Sequence, residues 1–427
     1  MNTNQKREDT ASGTLFRALG LGDAIAIGLG AVIGAGIFVV SGVAAGIAGP
    51  GIILSLLIAG LAATFNGLTS AQLAARFPKA GGTYEYAYEL LHPLAGFSAG
   101  WMFLASKLTA GGVVALGFAS YLKAFFPALD QRWSATFAVV LLIIANIAGI
   151  KKAGLLNRII VSITVLSLLY FISAGFEVFD SDNLLPFAPF GITGILEASA
   201  VLFFAFTGYA RIATVGEEVK EPKRTIPLAI ISTLIISFLL YSMVTLIALG
   251  AIGAPAMAEG GSPLFSAASA MNWPGIMTVI GIAAITAMLG VLLSQILGTS
   301  RMFFAMGRRG DLPQVLCKIS SGGRVPVYGI ILSGAFILLT VWLGELNFIT
   351  QTASFTILVY YGIANLSALR LKDDDRFLPH WISRTGLILC ILMAASLPLL
   401  SILAGIILMA AGHLLRLLVK ASLRFSD

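Results

Sequence analysis

Hydrophobic residues in this chain run in unbroken blocks rather than alternating or striping one face. Residues 24–75 contain no Asp, Glu, Lys, Arg or His, and neither do 225–258 or 260–300. About 20 apolar residues cross a bilayer, so each block holds one or two crossings. The pattern predicts twelve membrane helices, near 19–48, 50–74, 93–122, 134–150, 156–177, 191–214, 225–250, 275–305, 326–344, 347–370, 385–398 and 400–418. Continuous apolar runs exclude a strand barrel, whose strands alternate lipid-facing and lumen-facing residues.

Charge fixes how these spans thread. With the N-terminus in the cytoplasm, all but four of the 27 Lys and Arg fall on or beside one side; the exceptions are Lys123, Arg132, Lys107 and Arg211. This asymmetry follows the positive-inside rule and places both termini, 1–18 and 419–427, in the cytoplasm of a cell-membrane protein. Merging the last two spans across Leu397-Pro398 would put Arg416, Lys420 and Arg424 on the wrong side, so twelve are kept. The chain is 58% hydrophobic and 11% charged, with a mean hydropathy of +0.94. Soluble domains carry about 25% charged residues, so a soluble enzyme, a disordered chain and a nucleic-acid binder are excluded. Cys317 and Cys390 lie in unlike contexts, and His92, His380 and His413 are scattered. No metal site, disulfide framework or cofactor is expected.

The first span is too glycine-rich to be one straight helix. It reads Gly28-Leu29-Gly30-Ala31-Val32-Ile33-Gly34-Ala35-Gly36-Ile37-Phe38. Glycine inside a helix costs about 1 kcal/mol relative to alanine, which favours an unwound segment at membrane depth. Unwound backbone is tolerated there only beside protein or a wet cavity. Freed N–H groups and the positive helix end suit a carboxylate, and freed carbonyls suit an ammonium. Close packing of helices through small residues is the competing reading. The sixth span is also interrupted midway, at Phe203-Phe204-Ala205-Phe206-Thr207-Gly208-Tyr209-Ala210-Arg211. Breaks at corresponding places in two halves point to a transporter site. Residues 19–177 and 191–370 are then two inverted five-helix repeats, with 385–418 added.

Four motifs carry a family resemblance. They are Gly-Ala-Val-Ile-Gly-Ala-Gly-Ile-Phe at 30–38, Ala74-Ala75-Arg76-Phe77-Pro78-Lys79-Ala80-Gly81-Gly82-Thr83-Tyr84, the Glu217–Pro227 run, and Gly298–Arg308 followed by Leu312-Pro313. In these the chain resembles the amino acid–polyamine–organocation superfamily of transporters. The resemblance implies an all-α fold of the leucine-transporter type and an amino acid substrate. It also implies that N–H groups around Ala35, Gly36 and Ile37 face the substrate carboxylate. Carbonyls of Val32 or Ile33, in the stretch containing Gly34, and those of Phe204 and Thr207 would face its ammonium. Phe204 matches an aromatic gate position; ordinary packing is the alternative for it.

Coupling is less legible. Proton-coupled relatives often carry a lysine midway along the fifth span, where this chain has Thr164, and sodium-coupled ones use hydroxyls where it has Leu289 and Gly290. Neither a proton nor a sodium ion is therefore specified. Two cations lie at membrane depth, Lys107 and Arg211. Such residues are functional candidates because lipid exposure is costly. Lys107 suits a proton shuttle or a cap for freed carbonyls; Arg211 suits a partner in Glu217 or Glu218, or a substrate carboxylate. Ser106, Thr109, Ser294, Gln295, Ser354 and Thr356 either line a pathway or join helices. The expectation is a secondary amino acid transporter working by alternating access, with a polyamine carrier or an exchanger as alternatives. A membrane enzyme would need clustered titratable groups, which the spans lack.

Overall fold

The computed structural model describes residues 19–77, 81–148, 153–214, 219–319 and 325–424. Among them the ordered elements are helices, and the one strand-type pairing is a bridge between Leu19 and Val219. Among the described residues nine stretches are long and apolar enough to cross a membrane, the first running over Leu21–Arg76, and two shorter apolar helices, Val327–Leu343 and His380–Ser396, accompany them.

In chain order the helices are α1 (Leu21–Val32), α2 (Ser41–Ala48), α3 (Ile52–Arg76), α4 (Thr83–Leu90), α5 (Pro93–Phe125) and α6 (Gln131–Ala148). Then come α7 (Ala153–Gly175), α8 (Gly191–Phe206), α9 (Ala210–Thr214), α10 (Pro222–Ala258), α11 (Pro263–Ser269) and α12 (Ile276–Arg308). The chain closes with α13 (Val327–Leu343), α14 (Leu346–Leu369), α15 (His380–Ser396) and α16 (Leu399–Arg424). The segment expected at 19–48 is in pieces: α1, a π-helical turn at Gly36–Val40, and α2. The segment expected at 191–214 is likewise α8, a 3-10 turn at Thr207–Tyr209, and α9. Two short helices, α4 and α11, were not predicted. Their eight and seven residues are too few to register as spans.

The exterior is apolar as well as the core, unlike that of a water-soluble protein, and the core holds several polar side chains. Phe137, Leu343 and Leu399 are 71%, 77% and 70% exposed, whereas Asn66, Gln72 and Asn365 are buried. Lipid-facing positions need no polar atoms, and buried polar groups need partners. Asn365 Nδ2 donates to Asn66 Oδ1 at 2.6 Å, joining α14 to α3. Gln72 Oε1 accepts from the N–H groups of Phe377 and Leu378 at 3.3 and 2.8 Å. The broken rods lie in the middle of this packing: α1 contacts α7 and α10, α2 contacts α8 and α10, and α8 contacts α3 and α14. Helix α5 packs on α12 and α14.

Candidate functional site

The first break is a helix end followed at once by a helix start. Helix α1 stops at Val32, and Ile33 is extended at φ −76°, ψ 103°. Winding resumes with the N–H groups of Ile37 and Phe38 bonded to Gly34 C=O, both at 3.2 Å. The N–H groups of Gly34 to Gly36 thus stand at a helix N-terminus, where the backbone offers no intrahelical partner and the dipole favours an anion.

The second break packs directly against the first. A methyl group on Gly36 would lie 2.7 Å from Ala205 Cβ and 2.9 Å from Ala205 Cα. One on Gly208 would lie 2.2 Å from the Ala31 carbonyl oxygen. Backbone cannot retreat from such contacts as a flexible side chain can. Glycine at these two positions is what lets the breaks meet.

Tyrosines supply partners for the carbonyls released at the breaks. Tyr241 OH donates to Val32 C=O at 2.8 Å, Tyr121 OH to Phe38 C=O at 2.8 Å and Tyr361 OH to Thr207 C=O at 3.4 Å. Thr207 Oγ1 donates to Phe204 C=O at 2.9 Å. The carbonyls of Val32, Phe204 and Thr207, expected to be free for an ammonium, are all engaged: Phe204 C=O accepts the Thr207 N–H as well as its hydroxyl. Val32 and Thr207 C=O each accept one tyrosine hydroxyl, and a carbonyl has two lone pairs, so a second acceptor direction is left at these two.

Around the breaks lies a cavity of about 430 Å³. Of the residues expected to bind substrate or line its path, Val32, Gly34, Ala35, Gly36, Phe204, Thr207, Lys107 and Arg211 line it. Four do not. Ile33 and Ile37 are buried in the apolar core. Ser106 Oγ donates to Ala353 C=O at 3.1 Å, which ties α5 to α14. Thr164 Oγ1 donates to Ile160 C=O at 2.8 Å within its own helix. A hydroxyl committed to a neighbouring carbonyl joins or bends helices rather than presenting to a pathway. Ser294 and Gln295 line the cavity, and so do Ser70, Phe103 and Tyr360, which sequence reasoning did not select for it. The cavity runs to Gly82, Thr83, Arg301 and Arg308, which sit where α4 begins and α12 ends.

Its charge is one-sided. Lys107, Arg211, Arg301 and Arg308 line it, and no Asp or Glu is among the described lining residues. Lys107 Nζ donates to Thr207 Oγ1 at 3.3 Å and lies 5.9 Å from the Phe103 ring centre. Its backbone carbonyl accepts from Gln295 Nε2 at 2.5 Å. Arg211 Nη1 donates to Ser294 C=O at 3.1 Å. Glu217 and Glu218, its expected partners, lie outside the described residues. Among the described residues no group of His, Cys, Asp and Glu is arranged to hold a metal ion.

Beside the cavity's α4 end is a buried ionic cluster. Asp311 accepts from Arg416 Nε at 2.7 Å and from Tyr84 OH at 2.8 Å, and also from Tyr88 OH. Arg416 Nη2 donates to Tyr88 OH at 2.9 Å. Arg309 pairs with Glu85 at 2.5 Å and stacks over the Tyr88 ring at 4.1 Å. Burial, reinforced by the Asp311 carboxylate, holds the Tyr84 and Tyr88 phenols well above their ordinary ionisation range.

Similarity to known proteins agrees with this architecture. The family profile described as amino acid permease matches residues 23–420. An uncharacterized transporter of Mycobacterium tuberculosis is 39% identical over 403 residues, covering 93% of this chain and 90% of that protein. The methylthioribose transporter of Bacillus subtilis is 31% identical, with 76% and 74% coverage. The branched-chain amino acid permease BcaP of the same bacterium is 29% identical, with 86% and 83% coverage. A profile matched across nearly the whole chain, on a bundle of apolar helices, makes this protein a multi-pass membrane transporter, not an enzyme, and a member of the amino acid permease family of the amino acid–polyamine–organocation superfamily.

Proposed function

We propose that this protein is a secondary transporter that carries amino acids across the cell membrane by alternating access. Its twelve spans form two inverted five-helix repeats and a final pair, with both termini in the cytoplasm. Substrate sits at the two breaks, its carboxylate on the N–H groups of Gly34 to Gly36 and its ammonium near the carbonyl-rich turn at Phe204 and Thr207. The observation that carries this reading is the direct contact of the two breaks beside one cavity, made possible by Gly36 and Gly208. In the positive-inside orientation, the cavity's run to Arg301 and Arg308 makes it open to the cytoplasm.

Cationic amino acids and polyamines fit this site poorly. The described lining has four cations and no carboxylate to receive a second positive charge. Thr164 Oγ1 donates to Ile160 C=O and keeps acceptor lone pairs, but a lone oxygen is a poor ion site, and Gly290 has no side chain to add to it. Coupling is therefore left to an exchange test. Counterflow of labelled amino acids in proteoliposomes, at two external pH values and with or without sodium, measures substrate and coupling together. Gly36→Leu is expected to abolish counterflow. Full activity in that variant would remove the proposed site, and counterflow of methylthioribose alone would replace the amino acid reading.

A further inference from the structure

We infer that Lys107 is a specificity-determining residue that pairs with a second carboxylate on the substrate, so that acidic amino acids are favoured over neutral ones of the same shape. This rests on the amino acid reading above and names the substrate class within it.

Lys107 lies in the middle of the 33-residue helix α5, at the depth where a cation without a counter-charge is costly. Its ammonium has three donors, and among the described residues it meets one hydroxyl, Thr207 Oγ1, and the face of one ring, Phe103. Neither neutralises it. Among the described residues the cavity wall adds Arg301 and Arg308 and no carboxylate. A substrate carboxylate supplies the counter-charge that this described wall lacks.

A neutral amino acid does not bring it. Such a zwitterion carries one positive and one negative group, and its carboxylate already has a place at the N–H groups of Gly34 to Gly36. Lys107 would then face a net-neutral ligand. A dibasic amino acid or a polyamine would add a like charge, which disfavours it further. An amino acid with a carboxylate on its side chain satisfies both anion sites at once. The two sites belong to different elements: the first is the restart after α1, and the second reaches Thr207 at the other break from α5. The ammonium donors of Lys107 would form charge-assisted bonds to the side-chain carboxylate.

The test uses isosteric pairs on the full-length reconstituted protein at pH 7: glutamate against glutamine and aspartate against asparagine. Wild type is expected to exchange the acidic member about ten-fold better or more, the value of one charged hydrogen bond. Lys107→Arg is expected to keep that preference, and Lys107→Met to bring the two members of each pair to parity. Equal or better exchange of the neutral member by wild type would overturn the inference without any variant having to fold. So would a monodisperse Lys107→Met protein that keeps the acidic preference. Exchange of neutral amino acids alone sinks this inference and leaves the transporter reading standing. Exchange of no amino acid at all sinks both.

Discussion

At Gly208 a single methyl group decides whether the two breaks can touch, because it would sit 2.2 Å from a backbone oxygen. Gly208→Ala is expected to reduce uptake by at least about ten-fold, since a misplaced site costs that much or more. Gly290→Ala is the control: its methyl would meet nothing nearer than Ile160 Cδ1 at 3.6 Å, so uptake should stay at the wild-type level. Equal uptake in both variants would separate the breaks from function. Tyr241 acts at the same scale. Tyr241→Phe leaves Val32 C=O without its hydroxyl donor, and an unsatisfied buried carbonyl costs about 1–3 kcal/mol. A lowered unfolding midpoint in detergent is expected, and an unchanged midpoint would show that the carbonyl finds another donor. The glycines were legible in the sequence because their clustering is local. The tyrosine caps were not, because Tyr241 lies 209 residues from Val32 and Tyr361 lies 154 residues from Thr207.

At the scale of elements, the cluster on Asp311 ties α16 to the end of α12 and to α4, whose first residues line the cavity mouth. Asp311 is 1% exposed and Arg416 4% exposed. Arg416→Met would leave a buried carboxylate without its cation, a loss of about 3–5 kcal/mol. Asp311→Asn in the same chain should restore part of it, and a double-mutant cycle on thermal stability gives the coupling; additive losses would mean that the pair does not act as a unit. The tyrosines add a pH dependence. Their folded pKa values are raised by burial and by Asp311, so near pH 10, where free tyrosine ionises, only the unfolded chain loses these protons. Stability from them is therefore flat below about pH 10 and falls above it. Unfolding midpoints between pH 8 and 11 should show this fall, and a smaller one in Tyr84→Phe with Tyr88→Phe. The long apolar runs made the main helices legible. Helix α4, Thr83–Leu90, was hidden because it is short and polar, and only its packing on α5 and α14 reveals its place at the cavity.

For the whole molecule, the distribution of Lys and Arg predicts an orientation that labelling can read. Asp182 and Asp374 are both exposed and sit in loops assigned to opposite sides. With Cys317 and Cys390 replaced by serine, an impermeant maleimide should label Asp182→Cys in intact cells. Asp374→Cys should need permeabilised ones. The reverse pattern would invert the topology and turn the cavity outward. The sequence by itself determined that this is a helical membrane protein, because bilayer thickness, backbone hydrogen bonding and charge asymmetry act on local composition; the superfamily was legible in the four motifs that resemble it. Where Ser106 spends its hydroxyl was decided only in three dimensions, by the Ala353 carbonyl that packing brings within reach across 247 residues. The meeting of Lys107 with Thr207 across 100 residues was decided there too. Composition places a cation in the membrane, but only packing determines which groups surround it and whether any of them carries the opposite charge.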